Sequence, residues 1–139
     1  MGELIFIGLG LHDERDITLR ALDAMKDADA VYMELYTTKL PGLDISALER
    51  LVKKKIHILS RKQVEEEDVI IEHAKHARVC FLVGGEPMAA TTHVDLRHRA
   101  ENAGIKTSII HNASVFTAVP SLLGLQHYKF GRTTTLAFI

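Results

Sequence analysis

Cysteine is almost absent from this chain: Cys80 stands alone among 139 residues, so no intrachain disulfide can form and a cytoplasmic setting is favoured. It sits inside the apolar run Val79–Val83, where burial raises a thiol's pKa, so it reads as inert core rather than a nucleophile. Long hydrophobic runs are missing too. No span approaches the ~20 apolar residues of a membrane helix, and the opening residues lack a signal peptide's basic segment, so no membrane partner is expected. Nor is there an excess of one charge: 17 Lys and Arg against 18 Asp and Glu leave −1. That balance argues against a protein whose main task is gripping nucleic acid by its phosphates. No glycine is followed by the Lys-Ser/Thr of a nucleotide-triphosphate loop, and no Gly-x-Ser-x-Gly elbow marks a hydrolase serine. Repeats, low-complexity tracts and interdomain linkers are also lacking.

What is present is a globular composition, 47% apolar and 25% charged, in a length suited to one domain with a real core. Short apolar runs alternate with amphipathic ones, the pattern of βαβ units and a parallel sheet. Strands are expected at Leu4–Ile7, Ala30–Leu35, Ile56–Leu59, Val79–Val83, Ile105–Ile110 and Thr133–Ile139. Between them, Asp16 or Thr18 opens a helix carrying Leu19, Leu22 and Met25, and a short helix follows from Asp44 to about Val52. One helix is expected within Ser60 to about Ala77, one over Thr92–Ala103 stopped by Gly104, and one over Ser114–Leu123. The fold class is therefore α/β, an open, largely parallel sheet of about five strands flanked by helices. The last strand ends bare at Ile139, as at a cut between domains, so a larger protein is expected, with self-association through an apolar flank around Leu136 and Phe138.

Leu82-Val83-Gly84-Gly85-Glu86-Pro87 carries the strongest functional signal. A strand that stops in two glycines lets backbone approach a ligand, and Glu86 sets a carboxylate at the carboxyl edge, the ligand edge of an open α/β sheet. Thr91 or Thr92 can cap the next helix. Gly8-Leu9-Gly10 makes a similar turn, but a third dinucleotide glycine would fall at Asp13, which disfavours pyrophosphate and suits a cofactor without phosphates. His111-Asn112-Ala113-Ser114-Val115 follows the fifth strand at the same edge. Ser114 can cap its helix, contact a ligand, or do both. Eight histidines raise the question of a metal. His73 and His76 can share a helical face, whereas His93 and His98 diverge. No diagnostic spacing joins them, so solvated helix faces are expected and no metal site. Glu65-Glu66-Glu67-Asp68, opposed by Arg61-Lys62, reads as a polar helix start.

Taken together, Ile7-Gly8-Leu9-Gly10-Leu11, Asp16-Ile17-Thr18, Tyr36-Thr37-Thr38, Gly85-Glu86-Pro87, Ala90-Thr91-Thr92-His93, His111-Asn112-Ala113-Ser114 and Tyr128-Lys129-Phe130-Gly131 resemble the diphthine synthases. These are S-adenosylmethionine-dependent methyltransferases of the tetrapyrrole methylase superfamily. The resemblance implies that residues 1–139 are the N-terminal domain of a two-domain, usually homodimeric, cytoplasmic enzyme. It also implies methylation of the amino group of a modified histidine on elongation factor 2, in diphthamide biosynthesis. Carried over by motif, the donor-contacting positions are Leu9, Glu86, Ala89, Ser114 and Val115. The family pattern has Gly-Asp-Pro where this chain has Gly85-Glu86-Pro87, which extends the carboxylate by one methylene.

Transfer from a sulfonium needs alignment and exclusion of water more than a nucleophile or metal. Glu86 is assigned to donor binding, and no general base is named. The competing readings are a methyltransferase of the same superfamily acting on a corrin or porphyrin ring, and a non-catalytic assembly or binding module.

Overall fold

The computed structural model of the chain describes residues 2–136. Five strands form one sheet: β1 (Glu3–Gly8), β2 (Ala30–Met33), β3 (Ile56–Ile58), β4 (Arg78–Val83) and β5 (Lys106–Ile110). All pairings are parallel and the order is β3-β2-β4-β1-β5. Side chains on successive strand residues point to opposite faces. Thus Ile5 and Ile7 of β1 join one core, while Leu4 and Phe6 join the other. Helices α1 (Leu19–Asp27) and α2 (Ile45–Val52) seal the first face through Ala21, Ala24, Met25, Leu48 and Val52. Helices α3 (Arg61–Glu65), α4 (Val69–Ala74) and α5 (His93–Asn102) seal the second through Val64, Ile70, Ile71, Ala74, Leu96 and Ala100. Phe6 and Phe81 meet edge to face there, centroids 6.1 Å apart. Truncating Phe81 to Ala would cost about 3–5 kcal/mol.

The strand order sets where a ligand can go. From β2 the chain moves outward to β3, and from β4 it moves the other way, past β1 to β5. Helices after β1 and β2 lie on one face and those after β3 and β4 on the other. Neighbouring strands that lead to opposite faces open a crevice at their carboxyl ends.

The parallel α/β sheet matches expectation, and the helix starts follow from single residues. Thr18, Asp44 and Ser114 each accept a backbone N–H at the head of their helices. Asp16 instead turns inward on the first loop, accepting from the N–H groups of Leu11 (3.2 Å) and His12 (2.9 Å).

Three expectations need correction. The helix within Ser60–Ala77 is two helices. A capping box of Ser60 and Gln63 starts α3, and the backbone then breaks at Asp68, φ 53°. Adjacent acids repel in a helix, Asp tolerates the left-handed region, and Arg99 stabilises the break by pairing with Asp68 and donating to the Val64 carbonyl (3.3 Å). Hence Glu65 closes α3 rather than starting a helix. Second, α4 ends at Ala74, so His73 and His76 share no helical face; His73 Nδ1 meets the Tyr32 hydroxyl at 2.8 Å. Third, residues 133–136 of the expected last strand are exposed and carry no regular structure. β-branched composition makes a strand only where a neighbour supplies a ladder. Residues 137–139, with Phe138, lie outside the described residues.

Before that segment, α6 (Val115–Leu122) buries only Pro120 and leaves Val115, Phe116, Val119 and Leu122 exposed, Leu122 by 87%.

Candidate active site

Three loops meet at the carboxyl edge, after β1, β4 and β5. Gly10 and Gly85 form an antiparallel bridge, in which Gly85 N–H donates to the Gly10 carbonyl at 2.8 Å. Contact this close excludes side chains: a Cβ on Gly8 would lie 2.5 Å from the Gly85 carbonyl oxygen. Gly85 itself has φ +68°, a left-handed value that favours glycine. The Gly-x-Gly and Gly-Gly signals thus serve one purpose, the interlocking of two turns.

Asn112 locks the third loop to the first. Its side-chain amide donates to the carbonyls of Gly8 (3.0 Å) and Asp16 (2.9 Å), and its oxygen accepts from Ala113 N–H (2.7 Å). Glu86 locks the third loop to the second. One carboxylate oxygen accepts from Asn112 N–H at 3.0 Å, and the other lies 2.8 Å from His111 Nδ1. An ionised carboxylate only accepts, so Nδ1 carries the hydrogen. Glu86 is largely covered while His111 is 74% exposed.

The expected site residues fall as follows. Glu86, Ser114 and Val115 belong to the loops that these bonds draw together. Leu9 lies in the first turn, but its side chain is fully buried in the core and its N–H donates to Val83. Only its carbonyl is left to face a ligand. Ala89 lies in the turn after Glu86, where its N–H donates to the Glu86 carbonyl at 3.3 Å. Ser114 Oγ caps α6 by accepting from Phe116 N–H at 3.2 Å. Of the two threonines, Thr91 accepts from His93 N–H (3.3 Å), whereas Thr92 donates to Glu65 (2.8 Å). Cys80 is fully buried, and burial pushes its thiol up to about 12.

His93 corrects another expectation. It is 1% exposed, not part of a solvated helix face, and its Nε2 lies 3.1 Å from Glu34, itself 0% exposed. Glu34 follows β2 and also accepts from the N–H groups of Tyr36 (2.9 Å) and Thr37 (3.0 Å) and from the Thr37 hydroxyl. Burial alone would raise this carboxyl; the bonds from His93 and Thr37 outweigh it and hold it below its ordinary range. The pair spans 59 positions. One signal was available: Glu34 is a charged residue inside the run Ala30–Leu35, read as a buried strand, and such an acid requires a partner. Tyr36 packs edge-on against His93 and beneath the Arg61 guanidinium; burial, with Glu34 and Glu65 nearby, raises its hydroxyl pKa well above the usual value. Among the described residues, no three His, Cys, Asp or Glu side chains gather as metal ligands. No helix among them is long and apolar enough to cross a membrane.

Comparison with known proteins places this geometry in a family. The profile of the Tetrapyrrole (Corrin/Porphyrin) Methylases matches residues 3–137. A diphthine synthase of Methanosarcina mazei is 50% identical over 135 residues, 97% of this chain and 51% of the relative. One from Methanococcoides burtonii is 51% identical over 135 residues, 96% of this chain and 50% of the relative. Among solved structures, a diphthine synthase superposes with a TM-score of 0.88 at 46% identity, covering 93% of this chain and 51% of that one. A putative diphthine synthase from Entamoeba histolytica gives 0.81 at 42% identity, covering 95% and 49%. The chain spans about half the length of the curated relatives it matches.

Proposed function

The chain belongs to the tetrapyrrole (corrin/porphyrin) methylases, and from that membership we propose that it is the donor-binding part of an S-adenosylmethionine-dependent diphthine synthase. The observation that carries the reading is the meeting, at one carboxyl edge, of the loops after β1, β4 and β5, held together by Asn112, Glu86 and the Gly10–Gly85 bridge. Its chemistry fits the donor. Asp13, Asp16 and Glu86 line or brace these loops, and carboxylates there suit a cationic sulfonium and its amino group, where a phosphate would be repelled. When bound, the donor supplies an activated methyl group. Leu9, through its carbonyl, and Glu86, Ala89, Ser114 and Val115 are the positions proposed to hold it. Holding donor and acceptor in line in a dry crevice reduces the barrier without a metal or covalent intermediate.

Relatives at about half sequence identity carry the name diphthine synthase, and this supports the amino group of a modified histidine on elongation factor 2 as acceptor. A cytoplasmic setting and a homodimer complete the reading. The test is methyl transfer from labelled donor by the intact protein, offered elongation factor 2 carrying the amine or a corrin or porphyrin ring. Label on the factor alone is expected. Label on the ring alone would redirect the assignment within the family, and label on neither would leave a binding module.

A further inference from the structure

We propose that His111, oriented by Glu86, is the proton acceptor that readies the substrate amine; the proposal rests on the methyltransferase reading above. An amine enters such a reaction largely as an ammonium, whose nitrogen has no free pair. Something must take that proton before the nitrogen can accept a methyl group. Among the described side chains of the three converging loops, two imidazoles are exposed beside a carboxylate, and His111 is the one within hydrogen-bond distance: its Nδ1 lies 2.8 Å from Glu86 with the side chain 74% exposed, whereas His12 Nε2 stands 4.0 Å from Asp13.

The geometry fixes which nitrogen does the work. Glu86 holds the hydrogen on Nδ1, so Nε2, on the far side of the ring, presents its lone pair outward. Glu86 cannot swing away freely, because its other oxygen is held by Asn112 N–H (3.0 Å), and Asn112 is tied to the first loop at Gly8 and Asp16. Nucleophile–base pairs in enzymes use the same arrangement, a base oriented by a third group. Beside His111 is a hollow of about 380 Å³ formed with Thr18, Arg20, Ile109 and Ile110. It leaves room at the imidazole for a substrate side chain. The charged groups around His111 are Glu86 from the β4 loop and Arg20 from α1, with Asp16 behind Asn112. In the step itself the proton moves from the acceptor nitrogen to Nε2. The N–H electron pair remains on nitrogen as the pair that takes the methyl group. The imidazolium that results is stabilised by Glu86 until solvent removes its proton. His111 is thus the catalytic residue and Glu86, with respect to the proton, a positioning residue.

The experiment compares the intact protein with H111N, H111A and E86Q in four measurements. Donor binding by calorimetry should be unchanged in H111N, because the asparagine amide nitrogen takes the place of Nδ1 and keeps the bond to Glu86. Methyl transfer to the amine-bearing factor should fall about 10²-fold in H111N, the usual worth of a general base, and the loss should shrink as rising pH frees the amine without help. Nitrogen NMR of the imidazole should find hydrogen on Nδ1 in the wild type and a shift toward Nε2 in E86Q. Added imidazole should restore part of the rate to H111A. A wild-type rate in H111N at neutral pH, or an Nε2–H tautomer in the wild type, overturns the inference alone. A wild-type protein that binds no donor overturns the methyltransferase reading and the inference with it.

Discussion

Two glutamate–histidine pairs stand at the same edge of this sheet, and they differ almost entirely in their access to water. Glu34 and His93 link the loop after β2 to the start of α5 at 3.1 Å, with 0% and 1% of their side chains exposed. Glu86 and His111 link the loops after β4 and β5 at 2.8 Å, with 18% and 74% exposed. The same two functional groups at similar distance therefore have opposite consequences. The sealed pair has removed a charge from water, so it depends on its partners and holds the edge together. The open pair has a solvated nitrogen to spare, so it can exchange protons at little cost to the fold. Environment, rather than residue type, divides scaffold from chemistry here.

The two pairs should differ most when each histidine is removed in turn. His93→Ala leaves the Glu34 carboxylate buried without its imidazole and should destabilise the protein by about 3–5 kcal/mol, read as a lower urea midpoint. Should it cost no more than His111→Ala, the two pairs are equivalent and the distinction fails. Next in size is Asn112→Ala, which strands the carbonyls of Gly8 and Asp16 and the Ala113 N–H. A loss of about 1–3 kcal/mol is expected, together with weaker donor binding in calorimetry; intact affinity would show that the third loop does not shape the crevice.

Acid separates the pairs further. Glu34's folded pKa lies below its unfolded one, so its contribution is complete above the ordinary glutamate value of about 4.3 and is lost as pH falls through the depressed folded value. Unfolding followed by pH should show this loss in the wild type and in H111A, and Glu34→Gln should remove it. A loss that persists in E34Q would assign the acid sensitivity elsewhere. The smallest effect is expected from Glu86→Gln, below about 1 kcal/mol because its partner is solvated. A cost matching that of H93A would mean that the open pair is a structural bolt.

Much of the scaffold could be read along the chain. Alternating apolar and amphipathic runs located all five strands of the sheet, and the helix starts at Thr18, offered beside Asp16, at Asp44 and at Ser114 were legible from the chain. Strand order was not legible, because local pattern says nothing about which parallel strands become neighbours. The break at Asp68 depends on Arg99 from another helix, and no local window contains that partner. The site divides similarly. Glycine turns and Glu86 were visible as strand-end signals. The roles of Asn112 and His93 arise from bonds spanning 104 and 59 positions, which only the folded sheet brings within reach. Past the helix over Val115–Leu122, which was expected, only the strand from Thr133 failed: residues 133–136 are β-branched or apolar yet exposed and without regular structure, so composition there did not make a strand.

Whether the loops after β1, β4 and β5 together receive the methyl donor, as proposed, is decided by amide NMR during titration with S-adenosylmethionine. Shifts are expected to concentrate on Leu9, Gly10, Gly85, Glu86, Ala89, Ser114 and Val115. Shifts confined instead to the lysine-lined hollow of Arg50, Lys53, Lys54 and Lys55 beside α2 would contradict it.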